Sequence, residues 1–264
     1  MAWILLTVCV GCVLFVNAIT KKGVTLTFSD HYQCNDTFVL SNVSWWYDWG
    51  LNDSGHHARG CPGSPRGEFI PMLWGYNGQT ISIPRHSKYV LSFNEPNHKD
   101  QSLMTPEFAA DNWPKVEAAA QDRHLLSPAP ARCAVVGGLC TYTTFDWLDK
   151  FFAACKGCRV DYIALHSYTC DVDSDMGFLE SAYNRYNRKV WLTEFACPGK
   201  PTFGQVKEYM EAIIPRLEKA DFVGGYSWFI ARLTKSGYID PICSLLEANS
   251  STLTPLGRLY NSLQ

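Results

Sequence analysis

Residues 89–97 read YVLSFNEPN, an apolar run that ends in an asparagine, a glutamate and a proline. Residues 189–194 read KVWLTE, a second such run that also ends in a glutamate. A glutamate at the end of a hydrophobic strand is costly unless it is paired or used. In a barrel of parallel strands, the catalytic groups come from the strand ends at one face. The two runs therefore predict that Glu95 and Glu194 lie on opposite sides of one barrel mouth.

The rest of the chain alternates strand-like and helix-like segments. β-branched or aromatic runs predict eight strands, at residues 23–28, 42–46, 69–74, 89–93, 133–138, 160–166, 189–194 and 222–229. Apolar residues at helical spacing predict helices at 105–123, 145–155, 174–186 and 203–219. We predict a compact (β/α)8 TIM barrel with shortened first βα units, formed by residues 19–264 as a single domain. A doubly wound open sheet is the alternative, but its glycine-rich phosphate loop does not follow the first strand.

The composition is that of a globular protein. Hydrophobic residues make up 47% of the 264 residues, charged residues make up 18%, and the formal net charge is −2. These values exclude a disordered chain, which has few apolar groups. They also argue against a nucleic-acid-binding protein, which carries a basic excess. The 9 Trp and 13 Tyr residues suit a packed core, and they are also the residues that stack on sugars in a binding cleft.

The amino terminus has the features of a secretory signal. Residues 2–19 carry no charged side chain, and residues 16–18 (Val-Asn-Ala) fit the small-x-small cleavage pattern. We therefore expect a signal peptide over residues 1–18. An uncleaved anchor is the alternative, because the stretch is just long enough to span a bilayer and is followed by Lys21 and Lys22.

The cysteines and the glycosylation sequons favour a secreted protein, extracellular or in a cell wall, with no membrane attachment after cleavage. Asn-x-Ser/Thr sequons begin at Asn35, Asn42, Asn52 and Asn249, although each alone is weak evidence. Nine cysteines follow the signal, a density that suits an oxidising compartment. Because nine is odd, at least one thiol is free or bonded to another chain. Cys155 and Cys158 predict a disulfide rather than half of a zinc site, since the second ligand pair of a zinc site is missing.

Paired glutamates at a barrel mouth fit the hydrolysis of glycosidic bonds. One carboxylic acid protonates the leaving oxygen, and one carboxylate attacks the oxocarbenium-like carbon or directs water at it. Glutamate suits both roles because burial and a like neighbour raise its pKa towards neutrality. Either glutamate alone could be a salt-bridged carboxylate at the rim, so the prediction of an enzyme depends on the pair.

The ordered motifs resemble those of the clan A glycoside hydrolases, and most closely those of family 128, compact barrels that act on β-1,3-glucans. The likeness covers almost all of the mature chain. It lies in residues 44–49 (SWWYDW), 69–74 (FIPMLW), 91–97 (LSFNEPN), 103–107 (LMTPE), 164–168 (ALHSY), 191–196 (WLTEFA) and 226–229 (YSWF). Asn-Glu-Pro alone is a weak motif, whereas the ordered set is fairly specific.

The resemblance implies that Glu95 is the acid/base and Glu194 the nucleophile of a retaining β-1,3-glucanase. It implies that Asn94 bonds the sugar 2-hydroxyl or the nucleophile, and that Trp228 is the platform under the reacting sugar. The other substrate-binding residues it implies are His166 and Tyr168, which orient Glu194 or the substrate, and Trp46, Trp49 and Trp74, which line glucose subsites, with packing as the alternative for one or two of these tryptophans. A core histidine is the alternative for His166. We expect a monomer that binds β-glucan polysaccharide or oligosaccharide and needs no metal or other cofactor.

Other functions remain open at this stage. The same barrel could cleave another β-linked polysaccharide, because Asn94-Glu95 is shared across the clan. A glucan-binding or wall-associated protein with little turnover is a different class, and the presence of both glutamates argues against it. The long polar loop at residues 48–66 contains His56 and His57, for which a solvated loop is the favoured interpretation over a metal site. This loop leaves endo and exo action open.

Overall fold

The structure, a computed structural model, describes residues 20–26, 31–84 and 86–264. The predicted signal peptide, residues 1–18, lies outside these ranges. In the described part of the chain, every helix is too short or too polar to cross a membrane.

Strands and helices alternate along the described chain. The strands are β1 Lys22–Thr25, β2 Trp45–Tyr47, β3 Glu68–Phe69, β4 Tyr89–Val90, β5 His124–Leu125, β6 Ile163–Ser167, β7 Val190–Phe195 and β8 Val223–Trp228. The helices are α1 Asp36–Val39, α2 Ser54–Ala58, α3 Pro106–Ala120, α4 Thr144–Ala154, α5 Val172–Tyr186, α6 Phe203–Lys219 and α7 Pro255–Ser262, with a 3-10 turn at Pro241–Cys243. The four predicted helices correspond to α3 to α6, and the first units are short, as predicted.

The strands close into a parallel barrel. Six of them form one sheet in the order β3-β2-β1-β8-β7-β6, and β4 pairs with β5. Parallel bridges between Met72 and Leu91 and between Leu126 and Tyr162 join the pair to the two edges of that sheet. Each strand thus neighbours the next in sequence, and β8 neighbours β1. This arrangement confirms the predicted α/β barrel.

Two apolar layers stabilise the barrel. The inner layer consists of strand and strand-end residues, among them Trp45, Leu91, Leu126 and Trp191. The outer layer packs the other face of the strands against the helices. Gly23 is required by this packing, because a Cβ atom there would lie 2.2 Å from the Trp45 ring.

The predicted fifth strand is wrong. Residues 133–138 form a loop closed by the Cys133–Cys140 disulfide, and Val136 in this loop is 96% exposed. The fifth strand is instead β5, His124–Leu125, which pairs with Tyr89 and Val90 of β4. Local β propensity favoured the valine-containing run, but a strand also needs a neighbouring strand edge.

Four disulfides pair eight cysteines, and Cys243 is the free cysteine of the described residues, buried in the core. The pairs are Cys34–Cys61, Cys133–Cys140, Cys155–Cys158 and Cys170–Cys197. The predicted Cys155–Cys158 disulfide is therefore confirmed.

Polar contacts also join distant segments. Both side chains of the Asp36–Arg232 ion pair are 0% exposed, and the pair links α1 to the loop after β8.

The interpretation of His56 as a solvated loop residue is wrong. Its side chain is buried, and its ring nitrogens bond the Tyr32 hydroxyl at 3.1 Å and the Gly63 carbonyl at 2.8 Å.

Candidate active site

Glu95 follows β4 by five residues, next to Asn94, which forms a parallel bridge with Ala129, and it lies at the carboxyl-terminal face of the barrel. Its backbone N–H donates to the Ala129 carbonyl at 3.0 Å, which fixes it against the segment after β5. Its φ of 42° is in the left-handed region, an uncommon conformation for a glutamate and one that occurs often at functional sites. Its side chain is 14% exposed. The carboxylate is therefore half enclosed, but a ligand can reach it.

Glu194, near the end of β7, is held by donors from two other strand ends. Trp49 Nε1 donates to Oε1 at 2.8 Å, and Tyr168 Oη donates to Oε2 at 2.5 Å. Tyr47 Oη lies 3.1 Å from Oε1 and also 3.0 Å from the Thr193 carbonyl, so its one proton is divided between two acceptors. These contacts fix the plane of the carboxylate.

His166, in β6, lies between the two glutamates. Its Nδ1 is 3.0 Å from Glu95 Oε1 and 3.3 Å from Glu194 Oε2, and its side chain is 0% exposed. One carboxylate oxygen of each glutamate and a His166 nitrogen all lie within 4.8 Å of one another. Retaining glycosidases have carboxyl groups about 5–5.5 Å apart, whereas inverting enzymes separate them by about 6.5–9.5 Å. The spacing of the two glutamates is therefore close to that of the retaining enzymes and shorter than that of the inverting ones.

The buried charges shift the pKa values of these groups. Burial raises the pKa of Glu194, and nearby Glu95 adds to the rise, while His166 and the bonds from Tyr168 and Trp49 oppose it. Burial by itself lowers the pKa of His166, but the charges of the two glutamates outweigh it and the net direction is upward. Burial, together with Glu194, raises the pKa of Tyr168 well above its ordinary value, so the hydroxyl keeps its proton.

Aromatic residues surround the carboxylates. A cavity of about 400 Å³ is lined by Trp49, Trp74, Tyr76 and Ser102, and Trp74 is 40% exposed. On the other side, the Phe229 ring lies 5.8 Å from the Trp49 ring and 5.7 Å from the Tyr168 ring. Tyr238 packs edge-on against Tyr168 at 5.5 Å and is 67% exposed. Trp49 and Tyr168, whose side chains bond Glu194, thus connect the carboxylates to the cavity beside Trp74 and to the exposed Tyr238 ring.

Asn94 leaves a hydrogen-bond acceptor unused beside Glu95. Its Nδ2 donates to Gln101 Oε1 at 3.0 Å, while Oδ1 is buried and has no partner among the described residues. A buried amide oxygen without a donor is costly. A hydroxyl group in the cleft could supply that donor.

Two predicted substrate contacts are wrong. Trp228 is 0% exposed, its Nε1 donates to the Cys243 carbonyl at 2.8 Å, and its ring packs on Phe195 at 5.1 Å. Trp46 is 1% exposed and packs on Phe69 at 4.8 Å. Both rings point outward into the layer beneath the helices, because alternate residues of a strand face opposite sides. Neither ring has a face on which a sugar could stack.

The sequence analysis missed Tyr47 and Phe229. Tyr47 follows Trp46 in β2, and Phe229 follows Trp228 after β8, so each lies next to a residue that was chosen wrongly. Strand alternation could have identified Tyr47, since Trp45 and Tyr47 share a face. The other predicted contacts, Asn94, His166, Tyr168, Trp49 and Trp74, lie at the same face of the barrel as the two glutamates.

The three ligand atoms of Glu95, His166 and Glu194 are close enough to bind a cation. The expectation that no metal is needed stays a prediction.

Comparisons with known proteins agree with this geometry. A sequence model of the family described as "glycosyl hydrolase catalytic core" matches residues 23–260. The structure of a subgroup II endo-β-1,3-glucanase of family 128 from Sorangium cellulosum is 32% identical and covers 92% of this chain and 98% of its own, with a TM-score of 0.77. A subgroup I endo-β-1,3-glucanase variant from Amycolatopsis mediterranei, in complex with laminarihexaose, is 27% identical and covers 93% of this chain and 100% of its own, with a TM-score of 0.74.

Among curated proteins, alkali-sensitive linkage protein 1 of Schizosaccharomyces pombe is 29% identical in an alignment of 256 residues that covers 92% of this chain. The chain spans 44% of the length of that relative. The match to the family model, together with the likeness to the Sorangium enzyme over nearly the whole chain, shows that this chain belongs to glycoside hydrolase family 128 and has its catalytic core.

Proposed function

We propose that the protein is a secreted, retaining hydrolase of β-1,3-glucan. The observation that carries the proposal is the pair of glutamates whose oxygens lie within 4.8 Å at the mouth of a parallel barrel, with His166 between them. The β-1,3 linkage is supported by the two family 128 structures described above, one of which holds laminarihexaose.

In this proposal Glu194 is the nucleophile and Glu95 the acid/base. An oxygen of Glu194 attacks C1 of the bound glucosyl unit while Glu95 gives its proton to the glycosidic oxygen, so that the C1–O bond breaks and a glycosyl ester forms. Glu95 then takes a proton from a water molecule whose oxygen attacks C1, and the ester bond breaks. The protein returns to its starting protonation state, and the released sugar keeps the β configuration.

The surroundings suit these roles. Glu194 receives the donors of Trp49 and Tyr168, which stabilise its ionised form. Glu95 is more exposed than Glu194, at 14% against 6% for the side chains, which gives it access to a leaving group and to water. His166 donates from Nδ1 and keeps the two carboxylates in one arrangement during proton transfer.

The aromatic rings are proposed to bind successive glucose units. The cavity between Trp49 and Trp74 would take the sugars on one side of the cleaved bond. The unpaired Oδ1 of Asn94 would accept a hydrogen bond from a sugar hydroxyl. Phe229, rather than Trp228, lies against Tyr168 and would contact the reacting unit.

Secretion is supported by two features of the described chain. Eight cysteines are paired in disulfides, which form in oxidising compartments. The sequon residues Asn35, Asn42, Asn52 and Asn249 are all exposed, so that a glycosyltransferase could reach them. A mass shift after endoglycosidase treatment of the protein from a eukaryotic host would test this, and light scattering would test the predicted monomer.

The test is the release of sugars from laminari-oligosaccharides by the wild type, Glu194→Gln and Glu95→Gln. Glu211→Gln, on the exposed face of α6, is the matched control. We expect hydrolysis by the wild type and the control, none by Glu194→Gln, and retained oligosaccharide binding by that variant. The product ladder separates endo from exo action, and EDTA should not change the rate.

Two outcomes would overturn the proposal. Oligosaccharide binding without product release by the wild type would indicate a glucan-binding protein. Cleavage of cello-oligosaccharides but not of laminari-oligosaccharides would show that the linkage is wrong.

A further inference from the structure

We propose that Asp175 is a positioning residue for the reaction, because its carboxylate holds the segment that presents His166 and Tyr168 to the two glutamates. This inference rests on the proposed function. Asp175 lies in α5, outside the cleft, and contacts neither glutamate in the structure.

Side chains in the segment from His166 to Thr169 point alternately towards the two glutamates and towards α5. His166 contacts both glutamates, and Tyr168 donates to Glu194. The residues that follow each of them point away from the cleft and towards α5. Ser167 Oγ donates to Asp175 Oδ1 at 2.6 Å, and Thr169 Oγ1 donates to the same oxygen at 2.7 Å. One carboxylate oxygen thus holds the residue before Tyr168 and the residue after it.

The other bonds of Asp175 fix its own position. Tyr209 Oη, from α6, donates to Oδ2 at 2.5 Å, and Arg132 Nη1 lies 3.3 Å from Oδ1. The Asp175 side chain is 0% exposed. Burying a carboxylate this completely costs desolvation free energy, and even with a partner of opposite charge the ion pair adds little net stability. Its cost points to a role in fixing one conformation.

A disulfide joins the carboxyl-terminal end of this segment to the chain just after β7, near Glu194. Cys170 forms a disulfide with Cys197, three residues after Glu194, and the two Cα atoms are 4.6 Å apart, within the normal range for a disulfide. Tyr168 is therefore held by Asp175 on both sides and by the disulfide beyond. A bond of 2.5 Å between Tyr168 and Glu194 tolerates little displacement, because hydrogen bonds weaken steeply with distance and angle.

The test removes the two hydroxyl donors and leaves Asp175 in place. The double variant Ser167→Ala/Thr169→Val keeps side-chain volume close to the original and keeps the contacts of Asp175 with Tyr209 and Arg132. It also removes two neighbouring bonds, from Arg132 Nη1 to Ser167 Oγ at 2.9 Å and from the Asp171 N–H to Thr169 Oγ1 at 3.1 Å. It is made in the wild type and in a Tyr168→Phe background, so that the coupling can be measured as a double-mutant cycle. Ser181→Ala, on the exposed face of α5, is the matched control, since its hydroxyl donates to the Gly177 carbonyl and not to Asp175.

We expect the double variant to lower kcat by about tenfold in the wild type, with KM nearly unchanged, and by less than about twofold in the Tyr168→Phe background. Ser181→Ala should leave kcat unchanged and the effect of Tyr168→Phe at full size. Equal losses of kcat in both backgrounds would overturn the proposal, because Asp175 would then act through stability alone.

A second measurement does not depend on hydrolysis. The titration of Glu194 is followed by NMR in protein with carbon-13 in the glutamate side chains. The double variant should raise the Glu194 pKa in the same direction as Tyr168→Phe, and the two changes should not add. Additive changes would contradict the positioning role. If the wild type cleaves no glucan but the titrations still couple, the proposed function fails and the positioning role stands.

Discussion

Replacing Tyr168 by phenylalanine removes the hydroxyl that donates to Glu194 Oε2 at 2.5 Å. A hydrogen bond to an ionised group is worth about 1.5–3 kcal/mol, and one between neutral groups about 0.5–1.5 kcal/mol. The ionised form of Glu194 therefore loses about 1–1.5 kcal/mol more than its protonated form, which corresponds to about one pKa unit. The ring itself stays, so the packing on Phe229 is preserved.

The direction of the shift follows from the role of the bond. The Tyr168 bond lowers the pKa of Glu194 against the rise that burial causes, so its loss raises that pKa. A nucleophile acts in its ionised form, and the rate falls as the pH falls through its pKa. The acidic limb of the kcat/KM profile should therefore move to higher pH by about one unit.

The assay is the pH profile of kcat/KM on a laminari-oligosaccharide for the wild type, Tyr168→Phe and Tyr47→Phe. The Tyr47 hydroxyl is divided between Glu194 and the Thr193 carbonyl, so its removal should move the limb by less, about half a unit. An acidic limb that stays in place or moves to lower pH in Tyr168→Phe would refute the reasoning. Melting temperatures measured beside the profiles exclude loss of the folded protein as the cause.

Three further predictions concern stability and binding. Asp36→Ala leaves a fully buried guanidinium without its partner and should lower the free energy of unfolding by about 3–5 kcal/mol in denaturant titrations. Trp74→Ala should weaken oligosaccharide binding by about 1–2 kcal/mol in calorimetry, while Trp228→Ala should destabilise the fold by about 3–5 kcal/mol because its ring is in the core. Replacing Cys170 and Cys197 by serine removes a disulfide between residues that are 27 apart in the sequence. The chain-entropy model predicts that this lowers the free energy of unfolding by about 3–4 kcal/mol.

Two matched controls, an exposed ion pair and a disulfide that closes a short loop, are expected to show smaller losses of stability. The exposed pair Lys207–Glu211 should contribute only about 0.3–0.5 kcal/mol. Loss of the Cys155–Cys158 disulfide, with a separation of only three residues, should cost about half as much as loss of Cys170–Cys197. Equal costs for the buried and exposed ion pairs, or tighter binding by Trp74→Ala, would contradict the structural assignments.

The barrel and the two glutamates could be predicted from sequence because each depends on local signals. An apolar run that ends in Glu95 or Glu194 is visible in a few residues, and the N-cap of α3 is visible as Thr105-Pro106, where the Thr105 hydroxyl accepts from the Phe108 N–H. The fifth strand could not be found this way. β5 is two residues long and depends on its pairing with β4, whereas the stronger local signal at 133–138 belongs to a disulfide-closed loop.

The inward or outward direction of strand residues was the second failure. The pairing of β7 with β8 contains register irregularities between Val190 and Trp191 and between Leu192 and Phe195. The alternation of inward and outward side chains in one strand therefore cannot be extended to its neighbour by counting residues. The prediction for Trp228 came from the family resemblance, and the sequence offered no independent sign that its ring faces the helices. The hydrogen bonds from Ser167 and Thr169 to Asp175, on either side of Tyr168, could not be predicted either. They join α5 to the end of β6 through tertiary contacts that a single sequence does not reveal.

The most direct test of the account is to trap the glycosyl-enzyme ester. A 2-deoxy-2-fluoro-laminaribiosyl fluoride forms the ester by loss of fluoride, and the 2-fluoro group slows its hydrolysis by destabilising the oxocarbenium-like transition state. Proteolysis and mass spectrometry should find the label on the peptide that contains Glu194, and Glu194→Gln should carry none. A label on another residue, or cleavage with inversion and no trapped ester, would contradict the assignment of Glu194 as nucleophile of a retaining mechanism.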